Sequence, residues 1–167
     1  VRELVASRTS FSLSRDLVSE LTPKTTLNEV TRELALTTEG VRLLWKHGEA
    51  PFGGASDIRA VVGRARLGGV LDPDQLLPIG DFLYCVAQLK KYLSNEEGPL
   101  AELEGSLMPI PQLRAEIERC IDHDGYVRDS ASPELGRIRN KMRTLANRIR
   151  ERLDTMVHSA AMQKILQ

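Results

Sequence analysis

Apolar residues recur along this chain at intervals of three and four positions, and the alternation typical of strands is almost absent. Leu13, Leu17 and Leu21 lie four apart, which places them on one face of a short helix. A longer run covers residues 26–46, where the predicted buried stripe is Leu27, Val30, Leu34, Val41, Leu44 and Trp45. The pattern predicts an all-α fold, built as a helical bundle.

Capping and breaking residues divide this pattern into separate helices. Thr26 with Glu29 three residues later is a capping box, and Asp72 followed by Pro73 is an N-cap with proline at the first helical position. Glycine and proline make 48–57 a loop. The predicted helices are 12–21, 26–46, 57–67, 73–93, 100–107 and 112–122, with an irregular segment at 122–132.

The last helix is predicted to be the longest. Ser132, Pro133 and Glu134 supply an N-cap, a proline at the first position and an acid near the positive end of the helix dipole. The helix is predicted to run for at least about 25 residues, or roughly 38 Å. Its apolar residues repeat at spacings of 3, 4, 3 and 4, which defines a heptad seam of Leu135, Ile138, Met142, Leu145 and Ile149.

This seam continues to Met156, with Arg152 in the slot between. A long helix with one narrow apolar seam packs on a second long helix, because propensity alone stabilises such a helix poorly. The pattern leaves open whether that second helix comes from this chain or from a partner chain.

Charge is balanced over the chain, with 23 basic and 23 acidic residues, but it is unevenly spread. The long helix is basic, and its candidate nucleic-acid contacts are Arg137, Arg139, Lys141, Arg143, Arg148, Arg150 and Arg152. One interpretation is a solvated face, since arginine is a good helix former. The other is contact with phosphates. No aromatic residues interleave with these cations, so stacking on single-stranded bases is not indicated.

Composition limits the class of protein. The chain is 41% hydrophobic and 28% charged, which is typical of globular proteins, and its 4% of aromatic residues is low for a β-sandwich. No apolar run approaches the ~20 residues that span a bilayer, so no membrane association is predicted. Cys85 and Cys120 fall within helical patterns and are interpreted as small core residues in a reducing compartment. A cytoplasmic location is expected.

Motifs for catalysis are missing from these 167 residues. Neither a phosphate-binding P-loop nor a G-x-G-x-x-G motif occurs, and no nucleophile–base set stands out. The sequence DHD at 122–124 is better explained by a turn at Asp124-Gly125 than by a metal site. We therefore expect no catalytic, metal-binding or cofactor-binding residue here, and no enzymatic activity from this segment.

Four stretches together carry a resemblance to a known family. They are GEAPFGGASDIR at 48–59, GGVLDPDQLL at 68–77, IDHDGYVRDSASPELGRIR at 121–139 and MQKILQ at 162–167. In this order they resemble the N-terminal core, or lever, region of the bacterial MutS2 family, which comprises MutS paralogues with a C-terminal Smr domain. The resemblance covers essentially the whole chain.

The resemblance implies a helical bundle like the MutS core. Residues 1–131 would form the core or lever domain, and 132–167 a long basic helix at the root of a coiled-coil clamp arm. It further implies a longer parent, a homodimeric ATPase and Smr-type endonuclease that uses ATP and Mg and whose catalytic domains lie outside these residues. Family members act on branched or double-stranded DNA in suppressing homologous recombination, and on the ribosome and its rRNA in rescuing collided ribosomes.

Three hypotheses follow for the segment itself. The first is a non-catalytic lever that couples the state of the ATPase to a clamp that holds nucleic acid. The second is a helical dimerisation or scaffold module without direct nucleic-acid contact, whose seam pairs with a second chain. The third is direct binding of nucleic acid by the arginines of the long helix.

Overall fold

The computed structural model describes residues 1–10 and 12–158, and over these residues the fold is all-α, as predicted. The described helices are α1 (Arg2–Ala6), α2 (Ser12–Ser19), α3 (Leu27–His47), α4 (Arg59–Arg66), α5 (Pro73–Leu93), α6 (Ala101–Glu104), α7 (Pro111–Cys120) and α8 (Pro133–Val157). A 3-10 turn at Asp129–Ala131 precedes α8. The stretch MQKILQ and the end of the predicted 132–167 segment lie outside the described residues.

Two compact units divide the chain, one of residues Val1–Glu118 and one that begins at Arg119. The core of the first unit consists of Leu43, Ile79, Leu83, Cys85 and Ile117. The Cys85 thiol donates to the carbonyl oxygen of Pro51 (3.3 Å), which ties the 48–58 loop to α5. Burial raises the pKa of this thiol, and both Cys85 and Cys120 are free. The loop that carries one of the family-like stretches is therefore part of the core packing.

Helix α3 buries a different face from the one predicted. Its start is as expected, with the Thr26 hydroxyl accepting the backbone N–H of Glu29. Its buried residues are Glu39 and Leu43, however, and most of the predicted stripe is exposed: Leu27, Leu34, Val41, Leu44 and Trp45. The prediction failed because α3 has two apolar faces. The core takes the one that holds Leu36, Gly40 and Leu43, at the same helical spacing.

A carboxylate cluster ties the end of α3 to the turn after α5. The Glu96 side chain is only 3% exposed and accepts hydrogen bonds from Arg42 (2.7 Å), Lys46 (2.6 Å) and His47 Nε2 (2.7 Å). Hydrogen bonds from Lys46, then His47 and Arg42, lower the pKa of Glu96 to about 2. His47, at the C-terminal end of α3, is therefore one of the three side chains that hold the Glu96 carboxylate.

The same turn is shaped by the other buried acid. Glu39 accepts a hydrogen bond from Arg42 (2.8 Å), and its carboxylate lies over Gly98. A Cβ at Gly98 would lie 2.1 Å from Glu39 Oε2, and the residue has φ of +131°. Only glycine fits this position without displacing the acid. The hydroxyl of Tyr92 on α5 donates to the carbonyl oxygen of Gly48 (3.0 Å), so it also connects α5 to the end of α3.

Substitutions on the two faces of α3 should differ in their cost to stability. Leu43→Ala should lower the free energy of unfolding by about 2–5 kcal/mol, because Leu43 is 2% exposed. The matched change Leu34→Ala, on the exposed face, should cost less than about 1 kcal/mol. Urea denaturation of the two variants measures both values. Equal losses would show that the buried face has been assigned wrongly.

The low pKa of Glu96 predicts acid destabilisation. The carboxyl has an ordinary pKa of 4.5, so its stabilising interactions are complete above pH 4.5 and are lost as the pH falls toward 2. We expect Glu96→Gln to be less stable at neutral pH and to lose less of its remaining stability over this pH window. Glu97→Gln, an exposed neighbour, is the control. Thermal unfolding at a series of pH values measures the difference, and parallel pH profiles for wild type and Glu96→Gln would contradict it.

Candidate interaction surface on the long helix

Helix α8 begins as the sequence predicts. The hydroxyl of Ser132 accepts the backbone N–H of Leu135 (3.1 Å), Pro133 occupies the first turn, and Glu134 lies near the positive end of the dipole. The helix spans 25 residues, about 37 Å at 1.5 Å per residue. None of its 25 side chains is buried within the described structure. Its packing surface is thus open.

The carboxylate of Asp129 anchors the first turns of α8. Arg139 Nη1 donates to Asp129 Oδ1 (2.8 Å) and to the carbonyl oxygen of Val127 (2.6 Å), and Arg143 pairs with the other carboxylate oxygen. Hydrogen bonds from Arg139, then Arg143, hold the pKa of Asp129 below its ordinary value. A Cβ at Gly136 would lie 3.0 Å from the carbonyl oxygen of Asp129, so the turn packs closely on the helix.

The segment before this turn is a short loop closed by its own hydrogen bonds. Ile121 and Val127 form an isolated antiparallel bridge, and Asp122 Oδ1 accepts the backbone N–H groups of Asp124 (3.0 Å) and Tyr126 (2.8 Å). This is the turn predicted for the DHD sequence. In the part of the chain that the structure describes, no group of His, Cys, Asp and Glu is arranged to hold a metal ion.

The seven candidate cations of α8 differ in their surroundings. Arg139 and Arg143 are held by Asp129, and Arg137 approaches Glu134 only at 4.0 Å. Among the described residues no ion pair is formed by the other four: Lys141, Arg148, Arg150 and Arg152. The sequence did not distinguish these classes, because the pairing depends on Asp129 reaching back over the helix. Two of the seven are therefore structural residues.

The predicted seam is an exposed apolar stripe. Ile138 and Leu145 are each 46% exposed, Met142 is 64% exposed and Ile149 60%, while Leu135 at the start is partly covered. Beyond these residues the stripe continues through exposed Leu153 and Met156. The heptad pattern missed Leu153 because a straight helix with 3.6 residues per turn drifts from a 3.5 repeat. That drift brings Leu153 to the edge of the stripe opposite Lys141 and Arg148.

The five cations that Asp129 does not hold fall at several heptad positions. With Leu135 at position a, Lys141 and Arg148 take g positions that border the seam, and Arg152 falls in a d position within it. Arg137 and Arg150 take the outward c and b positions. The surface is therefore an apolar stripe with cations along one edge, suited to pairing with another helix or to contact with an anion. None of the described helices has the length and apolar character needed to cross a membrane.

Comparison with known proteins identifies the family. No family model matches the chain. Proteins named Endonuclease MutS2 are 44% identical over 164 residues in Symbiobacterium thermophilum, 37% over 172 in Bacillus velezensis and 38% over 172 in a Geobacillus species. They match 96%, 99% and 99% of this chain. The chain belongs to the MutS2 family. It spans about a fifth of the length of these relatives, namely 21% of the first and 22% of the other two.

MutS2 membership agrees with the resemblance carried by the four sequence stretches. The matches run through both compact units, so the Asp129 anchor and the seam of α8 fall within the matched region. The name endonuclease belongs to proteins about five times as long as this chain.

The Asp129 anchor makes its own prediction. Asp129→Asn should loosen the first turns of α8, because Arg139 and Arg143 lose a shared charged acceptor. We expect faster amide hydrogen exchange over residues 135–143 and a modest drop in thermal stability. Asp154→Asn, near the other end of α8, serves as the control. Because the pKa of Asp129 is lowered, the stability of wild type should fall toward that of the variant as the pH drops below the ordinary pKa of 3.8. Unchanged exchange in Asp129→Asn would contradict the anchor.

Proposed function

We propose that this MutS2 segment is a non-catalytic helical lever within a longer DNA- and ribosome-associated ATPase and endonuclease. The observation that carries the proposal is α8 itself, a helix anchored at its first turns and exposing an apolar seam along the rest of its length. In this role α8 is the root of a coiled-coil clamp arm, and its seam receives a second helix of the arm. The parent would act as a cytoplasmic homodimer that suppresses homologous recombination and rescues collided ribosomes.

The mechanism is mechanical. Ser132 and Asp129 fix the direction in which α8 leaves its unit, so a small rotation of that unit displaces the far end of the helix, about 37 Å away. A second helix on the seam would stiffen the arm. The state of an ATPase at one end would then bias a nucleic-acid-holding clamp at the other, provided that both sites favour one of two positions of the same element.

The proposal places nucleotide chemistry outside these residues. They contain no glycine-rich loop followed by lysine and serine or threonine, which is the usual cradle for ATP phosphates and Mg. ATP and Mg are therefore assigned to the remainder of the parent, as is cleavage of nucleic acid. The contribution of this segment is to transmit movement. Its partners among branched or double-stranded DNA, the ribosome and rRNA would be held by the clamp.

The lever predicts that a flexible α8 uncouples the two ends of the protein. Thr144→Gly with Asn147→Gly weakens α8 on the face opposite the seam, by about 1 kcal/mol per glycine relative to alanine at the same positions. In the full-length protein, the change in nucleic-acid affinity on adding ATP, normally worth about 5–150-fold in coupled systems, should largely disappear. Affinity without nucleotide and basal ATP hydrolysis should remain.

Thr144→Ala with Asn147→Ala is the matched control, because both changes favour the helix. This variant should retain the full effect of ATP on nucleic-acid affinity. Titration of labelled branched DNA and of ribosomes, each with and without ATP, gives the required ratios. If the glycine variant couples as strongly as the alanine variant, α8 does not act as a lever.

A helical dimerisation or scaffold module is the second candidate function. It is favoured by the exposed stripe of α3, which with α8 gives the chain two open apolar surfaces. Sedimentation equilibrium of this chain distinguishes the two functions. A dimer that dissociates when Leu145 is changed to Asp would favour the module, whereas a monomer, or a dimer indifferent to that change, would leave the lever in place.

A further inference from the structure

The edge of the α8 seam carries a specific charge pattern. Lys141 and Arg148 border the apolar stripe, Arg152 interrupts it, and none of the three has an ion-pair partner among the described residues. The opposite edge is different. There Arg139 is held by Asp129, and the next two edge positions are Ala146 and Leu153. The seam therefore has one basic edge and one largely neutral edge.

This pattern disfavours a second copy of α8 as the occupant. In a parallel pair of copies the two d positions meet, so Arg152 of one copy would face Arg152 of the other inside the seam. In an antiparallel pair the two g edges meet, so Lys141 of one copy would approach Arg148 of the other. Both orientations place like charges together, which is unfavourable and acts against self-pairing.

We propose that the helix covering the α8 seam carries carboxylates along the edge that faces Lys141, Arg148 and Arg152. The inference rests on the proposed function, because it takes that helix to be another part of the same MutS2 polypeptide. The occupant is thus an amphipathic helix with a heptad of aliphatic residues and acidic residues on one flank. The long aliphatic stem of Arg152 covers apolar surface while its guanidinium reaches a carboxylate at the rim.

The division of labour among the cations follows from this arrangement. Arg139 and Arg143 anchor the helix through Asp129. The other three, Lys141, Arg148 and Arg152, favour a partner helix with carboxylates on the facing edge. Arg137 and Arg150 remain on the outward face. Nucleic acid is not the ligand of the three seam-edge cations.

Synthetic helices test the inference on this 167-residue chain. Three peptides share one aliphatic heptad and differ at the flanking positions, which are Glu, Gln or Lys. Fluorescence anisotropy at physiological salt should show the Glu peptide binding about tenfold more tightly than the Gln peptide and the Lys peptide binding most weakly. The difference between Glu and Gln should shrink as salt is raised.

Charge reversal supplies the decisive variant. Lys141→Glu with Arg148→Glu and Arg152→Glu should invert the order, so that the Lys peptide binds most tightly. The control is Arg137→Glu with Arg150→Glu, which adds acid on the outward face and should keep the preference for the Glu peptide. Circular dichroism confirms that each variant retains its helix content, and an inverted preference cannot arise from unfolding.

The other outcomes separate the inference from the function on which it rests. Equal binding of the Glu and Gln peptides would overturn the acidic partner while leaving helix pairing at the seam intact. Binding of none of the peptides would overturn both. A wild-type dimer lost in Leu145→Asp would make a second copy the occupant. A DNA duplex that binds more tightly than the Glu peptide, and weakens in the triple variant, would assign these cations to phosphates.

Discussion

The exposed apolar seam of α8 is the surface that the proposed lever needs to bury. Its side chains from Ile138 to Met156 are about half exposed, and burying an aliphatic side chain fully is worth about 1.5–3 kcal/mol. Covering the remaining half of several such residues therefore contributes several kcal/mol. An exposed ion pair contributes at most about 1 kcal/mol. In the proposed pairing, the seam supplies the affinity for a second helix, and the cations along its edge determine which helix binds.

Anchoring and exposure occupy different parts of the same helix. The first turns are fixed by the Ser132 cap and by Asp129, which binds both Arg139 and Arg143. Farther along, none of the described side chains of α8 is buried. A helix that is anchored at one end and exposes an apolar stripe along its length could transmit a movement once a second helix packs on that stripe and stiffens it. Proteins named Endonuclease MutS2 are about five times as long as this chain, and the proposal places the second helix in that additional length.

Local signals predicted most of the fold. Capping residues predicted where α3, α5 and α8 begin, and glycine where α3 ends. The heptad spacing predicts a helix-packing seam on α8, which stays a prediction. Which apolar face of α3 is buried could not be predicted. The core packs on the face that carries Leu43, and helical periodicity alone did not favour that face over the one that carries Leu34. The Glu96 cluster and the Asp129 anchor were missed for the same reason. Each joins residues at least ten positions apart, through contacts that leave no local pattern.

Amide hydrogen exchange along α8, compared between this chain and the full-length MutS2 protein, tests whether a second helix covers the seam. In the isolated chain, residues 144–157 should exchange rapidly because nothing covers the seam. In the full-length protein the same amides should be protected by orders of magnitude more, since a second helix would pack there. Equal, rapid exchange in both proteins would contradict the proposed pairing, because it would mean that no helix packs on the seam in the full-length protein.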